Sequence, residues 1–401
     1  MTTQVCETAP KLVLLHPPLR QAMKITDCLR HVLVMLLATA LGAHAAETGV
    51  SADEIRIGQF AAQTGPAAEL GKRMQLGILA HFAAVNSAGG IYGRKLKLIS
   101  RDDGYEPEKS AAAVKALIDE DKVFALIGSV GTPTTLAAVP AINAAGIPLV
   151  GPFTGAQALR EPFNHNLFHV RSSYFDETER IVQYLSTTGI KKIAVFYQND
   201  SYGKAGLEGV LRALTKRNLK PSATVTVERN SNDVAAPLAK ILEANPEAVI
   251  QISAYKSCAA LIKQAKAKAY GGQFFNVSFV GSNALAQELG DAGAGVVISQ
   301  VVPFPYSSSS AIVQEYQQRM TEAGSKEFDF TSMEGFLAAK LFTEGLRKAG
   351  KKLSRESFTS ALESLRDYNL GGFTLTYSAK SHEGSRYTDL TIISSSGKFV
   401  R

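Results

Sequence analysis

The stretch "LIGSVGTPTT" (Leu126 to Thr135) ends a short apolar run and opens a helix. Pro133 suits a first helical turn, and Thr132 suits an N-cap. Unused backbone N–H groups and the positive end of the helix dipole make such a turn a site for anions. A phosphate loop would need G-x-x-x-x-G-K-[ST], and no lysine follows here. The anion that fits is therefore a carboxylate or a similar polar oxygen. A plain N-cap that binds nothing is the alternative at this point. A second turn, "GPFTGAQAL" (Gly151 to Leu159), also leaves a strand and enters a helix. If the two strands are parallel neighbours, the amides of both turns and the hydroxyls of Thr132 and Thr154 converge on one group. The loop "TGPAAELG" would contribute from the same end of the sheet.

Other chemistry fits poorly. "HNLFH" places His165 and His169 four apart, but it lacks the glutamate of a zinc-protease helix and runs on into an extended segment, so no metal site is expected. There is no G-x-S-x-G elbow. The glycines of "GDAGAGV" (Gly290 to Val296) precede a strand instead of following one, the wrong context for a dinucleotide turn. Asp102 and Asp103 stand at a strand end, where acids cap the next helix or solvate a loop. Cys258 lies in a helical pattern with no histidine nearby and reads as a small buried residue. No nucleophile–base set converges, so neither an enzyme nor a cofactor is expected. The net charge of +7 comes from scattered Lys and Arg, which excludes the clustered footprint of a nucleic-acid binder.

The elements that would position these turns alternate. From residue 53, short apolar strands such as "EIRIGQF", "KLKLISRDDG", "VFALIGS" and "IPLVGP" are separated by amphipathic helices, the pattern of a parallel sheet covered on both faces. The alternation restarts with strands in "FHVRSS", "KKIAVFYQND", "PSATVTVE", "EAVIQISA", "NVSFVGS" and "GVVISQVVPFP". Three helices and a β-rich end follow. The spacing predicts an α/β fold of two doubly wound parallel-sheet lobes joined by a multi-strand hinge. Crossings fall near Arg171, Val302–Pro303 and Leu375. The first lobe is expected over 51–171 plus 303–375 and the second over 172–302 plus 376–401. Ligands of open α/β sheets bind beyond the carboxyl ends of the strands, so two facing sheets would enclose one in their cleft.

The N-terminal residues read differently. Lys24, Arg30 and His31 precede the apolar run Val32 to Ala43 and then "AHA", the pattern of a secretory signal cleaved after Ala45. Residues 1–45 are expected to be removed, and Met23 fits a start better than Met1. The apolar run of 12 residues is shorter than a membrane span of about 20. Only Cys258 of the three cysteines survives that cleavage, so no disulfide is expected.

"IRIGQFAAQTGPAAELGKRMQLGILAHFAAVNSAGGIYGRKLKLISRDDG", "VFALIGSVGTPTTLAAVPAINAAGIPLVGP" and "KKIAVFYQNDSYGKAGLEGV" together resemble the leucine/isoleucine/valine-binding family of periplasmic substrate-binding proteins. The resemblance covers nearly all of the chain after the leader. It implies the type I bilobal fold, a hinge that closes on ligand, and a monomer in the periplasm. It also implies delivery of a small solute, such as a branched-chain or other amino acid, to an ATP-binding-cassette permease. For the site it implies a carboxylate gripped by Thr132 and by Phe153, Thr154 and Gly155. Leu70 matches a position that is often an aromatic wall, Tyr202 matches a tyrosine that reaches the cleft from the second lobe, and Tyr255 lies at a strand end where the family also contacts ligand; Tyr174, just past the first crossing, is a further candidate. At "VGSNA", where amino-acid binders commonly place an acid for the ligand ammonium, this chain has the neutral Ser282 and Asn283. Either another acid such as Asp200 supplies that charge, or the ligand is an aromatic or aliphatic carboxylate or an amide. A ligand-sensing domain is the alternative function. Sensors usually carry an effector domain or a membrane helix, and neither is read in these residues.

Overall fold

The computed structural model describes residues 1–5, 8–11 and 47–401. The leader reading of Lys24 to Ala45 lies outside the described residues. No described helix is long and apolar enough to cross a membrane.

The first sheet is built from β1 (Glu54–Ala61), β2 (Lys95–Asp102), β3 (Ala125–Ile127), β4 (Leu149–Val150) and β5 (Leu167–Phe168). They lie in the order β2-β1-β3-β4-β5, and every neighbouring pair is parallel. β3 and β4 are buried throughout, as expected of strands covered on both faces. The second sheet contains β6 (Ile193–Gln198), β7 (Ala223–Val227), β8 (Ala248–Ile252), β9 (Gln273–Asn276) and β10 (Val297–Gln300). Its order, β7-β6-β8-β9-β10, repeats that of the first. Past β10 the sheet continues into the antiparallel hairpin β13 (Asp389–Ile393) and β14 (Phe399–Val400). The short strands β11 (Tyr368–Asn369) and β12 (Thr374–Leu375) form a separate antiparallel pair.

In each sheet the order reverses beside the first strand in sequence, between β1 and β3 and between β6 and β8. That is where a crevice opens beyond the carboxyl ends of the strands. The helices that begin there are α1 (Ala68–Ser87), α2 (Pro107–Asp119) and α3 (Thr132–Ala145) in the first lobe. In the second lobe they are α4 (Tyr174–Thr187), α5 (Ser201–Thr215), α6 (Ala235–Ala244), α7 (Tyr255–Ala267) and α8 (Ser282–Leu289). After β10 the chain returns to the first lobe as α9 (Ala311–Glu322), α10 (Phe330–Ala349) and α11 (Arg355–Glu363). α10 packs on α1 with backbones in contact: a Cβ on Gly77 would meet the Ser332 carbonyl, and one on Gly335 would meet that of Met74. The chain therefore crosses between lobes after β5, after β10 and between β12 and β13.

The structure shortens several expected strands. "NVSFVGS" does not continue as a strand: β9 stops at Asn276, and Ser278–Val280 form a single 3₁₀ turn ending at Gly281, whose φ is +79°. "GVVISQVVPFP" contributes only Val297–Gln300, and of "FHVRSS" only Phe168 is in a strand, as the last residue of β5. α1 begins at Ala68, inside the expected loop "TGPAAELG", so Leu70 is helical.

Candidate functional site

The turns after β3 and β4 lie side by side. The Phe153 N–H donates to the Ser129 carbonyl at 2.7 Å, and the Gly131 N–H donates to the Phe153 carbonyl at 3.2 Å. Thr132 was expected as the N-cap of α3, but it is the first helical residue and the cap is Gly131. Gly131 has φ +104°, and a Cβ there would collide with the Tyr105 ring, so only glycine fits. Shifted one place into the helix, Thr132 caps nothing. Its hydroxyl meets that of Thr154 at 2.6 Å. The N–H groups of Thr132 and Gly155 donate to no group among the described residues.

Four further aromatic rings surround that hydroxyl pair and Phe153. Tyr105 follows "DDG" with φ +63°, a conformation unusual for tyrosine. The buried Asp103 carboxylate holds it there, accepting the Tyr105 N–H at 2.9 Å and the Ser110 hydroxyl at 3.0 Å. Tyr202 is placed by Asp200, which caps α5 by accepting the N–H groups of Tyr202 (2.9 Å) and Gly203 (3.3 Å). Tyr174 opens α4 behind a capping box of Ser173 and Asp176. Phe279 comes from the 3₁₀ turn. Its ring centroid lies 4.5 Å from Tyr202, 5.3 Å from Phe153 and 5.9 Å from Tyr105, and Tyr174 lies 5.4 Å from Tyr202.

The Tyr174 and Tyr202 hydroxyls are buried without a hydrogen-bond partner. The Tyr174 hydroxyl lies within reach of the Thr154 hydroxyl and the Gly155 backbone, without a hydrogen bond of full geometry to either. Burial pushes the Tyr174 phenol up to about 12 and that of Tyr202 well above its ordinary range. Both therefore stay protonated and can donate. A buried unpaired hydroxyl costs about 1–3 kcal/mol, so two of them beside a hydroxyl pair suit a polar oxygen arriving from outside.

Beneath the rings Arg171, at the first crossing, lies over the face of Phe153 with its guanidinium carbon 4.7 Å from the centroid. It pairs with Glu334 of α10 at 3.3 Å and donates to the Ser278 hydroxyl. Glu177 of α4 accepts the Ser278 N–H (2.8 Å) and the hydroxyls of Ser278 (3.0 Å) and Ser299 (2.5 Å). Burial raises both glutamates, and the neighbouring Arg171 opposes it in each case. Glu177 also has these donors to hold its charge. Glu334 lacks them and reaches about 7.

The two lobes meet around these rings. The Gln198 amide donates to the Tyr105 hydroxyl at 3.2 Å. Arg229 (2.8 Å) and Asn230 (2.7 Å) donate to Glu106, and Leu70 touches Gly281.

The residues expected at the cleft divide accordingly. Thr132, Phe153, Thr154, Gly155, Tyr174 and Tyr202 come together, with Leu70 at their edge. Tyr255 lies apart from the rings, beside the Glu69 backbone, in a cavity of ≈ 430 Å³ walled by both lobes. Ser282 and Asn283 turn away. The Ser282 hydroxyl accepts from the Gln300 amide at 3.0 Å, and Asn283 accepts the Tyr306 hydroxyl at 2.9 Å. The reason is the 3₁₀ turn, which sends Phe279 inward in their place. Asp200, considered as the acid for an ammonium, is committed to its cap, to Gln198 (2.6 Å) and to Arg229 (3.5 Å). Tyr105, Arg171, Glu177, Phe279 and Glu334 were not anticipated. Only Tyr105 had a local signal, a bulky residue directly after "DDG". His169 donates to the Leu159 carbonyl at 3.1 Å and does not face His165. Cys258 is buried, as expected.

Two lobes of identical strand order, hinged by three crossings and meeting over buried unpaired hydroxyls, define a bilobal cleft-binding protein of the type I architecture. A family model described as periplasmic binding protein matches residues 54–398, and the chain belongs to the leucine/isoleucine/valine-binding family of periplasmic substrate-binding proteins. It is similar to a possible leucine/isoleucine/valine-binding protein from Rhodopirellula baltica, with a TM-score of 0.83 and 35% identity over 88% of this chain and 96% of that one. A substrate-binding periplasmic protein from Ralstonia solanacearum has a TM-score of 0.83 and 30% identity, over 86% of this chain and 99% of that one. An amino acid binding protein of Pseudomonas aeruginosa is 25% identical over 240 residues, 59% of this chain and 64% of its own length. The family consists of binding proteins and not enzymes.

Proposed function

We propose that this chain is the periplasmic solute-binding component of an ATP-binding-cassette importer. It captures a small apolar carboxylate, aromatic or branched aliphatic, in the cleft between its lobes. The observation carrying this reading is the pair of unpaired, protonated Tyr174 and Tyr202 hydroxyls beside Thr132, Thr154 and the amino end of α3. These donors suit an oxyanion, and the rings of Tyr105, Phe153, Tyr202 and Phe279 suit an apolar body. Export and periplasmic location rest on family membership and on the leader pattern.

Relatives' names include leucine-specific binding and leucine/isoleucine/valine binding, and one solved relative of the same fold, 20% identical, is in complex with benzoate. An α-amino group on the ligand is disfavoured here. Asp200 and Glu177 have their oxygens engaged, Glu334 faces Arg171, and an ammonium buried without a carboxylate is costly. Thermal unfolding with leucine, phenylalanine, isovalerate, benzoate and phenylacetate tests this. The carboxylates without an amine should raise the melting temperature, since a ligand at a hundredfold excess over Kd adds about 2.7 kcal/mol. If leucine or phenylalanine stabilises and the amine-free acids do not, the ligand is an amino acid and this assignment fails.

A further inference from the structure

A second cluster lies on the first lobe, away from the aromatic rings. His165 stands just before β5, Glu363 ends α11, and His382 lies between β12 and β13. Glu363 Oε1 is 3.3 Å from His165 Nδ1 and 3.1 Å from His382 Nε2. The donor atoms of all three residues lie within 4.8 Å of one another. A tetrahedral zinc ion with bonds of about 2.0–2.1 Å spaces its ligands about 3.3 Å apart. Two edges of this triangle are close to that length. Rotation of the His165 ring, 61% exposed, can close the third.

The environment of His382 points the same way. Its ring is 2% exposed, stacked on Phe168 at 3.7 Å and met edge-on by Phe163 at 4.8 Å. His382 Nδ1 lies 3.0 Å from the Leu167 carbonyl, which can only accept, so Nδ1 carries the hydrogen. In the neutral ring Nε2 then turns a lone pair towards a carboxylate oxygen at 3.1 Å. Two acceptors at that distance repel unless a cation or a proton sits between them. A histidine that donates one ring N–H to a carbonyl and offers the other nitrogen beside a carboxylate has the orientation of a metal ligand. No Lys or Arg pairs with Glu363 among the described residues.

We propose that His165, Glu363 and His382 bind a borderline divalent cation of the zinc class through two imidazole nitrogens and one carboxylate, leaving an outward coordination position for water. The ion joins three segments distant in sequence. One of them, around His382, already accepts the His169 N–H at 2.9 Å and carries the chain on towards the second sheet. The ion's role is a clasp at the base of the hinge, independent of what the cleft binds.

The test uses untagged full-length protein stripped with chelator and titrated with zinc sulfate by calorimetry. Wild type, His165→Ala and Glu363→Gln are compared. His165 is largely exposed, and the amide that replaces the Glu363 carboxylate can donate to His382 Nε2, so both variants should melt like metal-free wild type. One zinc per chain should bind the wild type and raise its melting temperature. Affinity should fall at least tenfold in each variant, and the rise should vanish. Histidines and cysteines elsewhere are common to all three proteins and cancel. Absence of saturable one-to-one binding, or equal affinity in His165→Ala, overturns the proposal and leaves an imidazolium–carboxylate pair.

Discussion

Tyr202 and Thr132 carry polar groups in opposite states. The Tyr202 hydroxyl is buried without a partner, while the Thr132 hydroxyl is paired with Thr154. Removing the first relieves an unpaired group, and removing the second creates one. Tyr202→Phe should therefore leave stability unchanged or raise it by up to about 1–3 kcal/mol. Thr132→Ala should lower it by a similar amount. If both hydroxyls touch the ligand carboxylate, each variant should bind more weakly, by roughly ten- to hundredfold for a charged hydrogen bond of about 1.5–3 kcal/mol. Thr132→Ser keeps the hydroxyl and should resemble wild type. Melting curves and calorimetry with the acid identified in the ligand screen separate the outcomes. Should Tyr202→Phe and Thr132→Ala bind like wild type while only stability moves, the hydroxyls are structural.

α3 has a left-handed glycine at each end, and the two have different tasks. Gly146 closes the helix with φ +55° and no atom near where a Cβ would stand. Gly131 opens it with φ +104° against the Tyr105 ring. Gly146→Ala should cost only the left-handed backbone penalty of about 1–2 kcal/mol and leave binding intact. Gly131→Ala should cost more, because the Tyr105 ring must move as well, and that displacement should also weaken the ligand. Urea unfolding of the two variants gives the comparison. Equal losses at both positions would mean that Tyr105 yields freely and is no wall of the site.

Across the whole molecule, Arg171, Glu177 and Glu334 tie the first crossing to both lobes. Arg171 faces both buried carboxylates and Arg160 also acts on Glu334; burial raises both acids, and Glu334, which lacks the donors around Glu177, is the one raised to about 7. Glu334 has a folded value of about 7 against an ordinary 4.5. Between those values the unfolded chain has released the proton that the folded chain keeps, so this group's contribution to stability falls as pH rises across the window. Asp103, raised to about 6, adds a slope of the same sign. His81, lowered to about 3 by burial, adds the opposite one below its ordinary 6.5. The informative quantity is therefore the difference between wild type and Glu334→Gln. From about pH 5 to about pH 8 the variant should lose less stability than wild type. Parallel curves would place the retained proton elsewhere.

The repeated strand–helix alternation and the two glycine–hydroxyl turns were legible because each depends on neighbours in sequence. Apolar period, caps and turn residues act within a few positions. Family membership was legible for the same reason, since whole motifs were intact. Thr132 shows the limit of that reading. Its local pattern is a helix cap, and its hydroxyl partner is Thr154, 22 residues away. Tyr105 against Gln198, Arg171 against Glu334, and His165 with Glu363 and His382 meet only after two sheets and three crossings have formed. Burial, which keeps the phenols protonated and raises Glu334, depends on everything packed around a group, and no local pattern encodes it. The sequence alone therefore determined the elements, their order and the turns that face the cleft. The tertiary structure decided which polar groups of those turns are already paired and which are left without a partner.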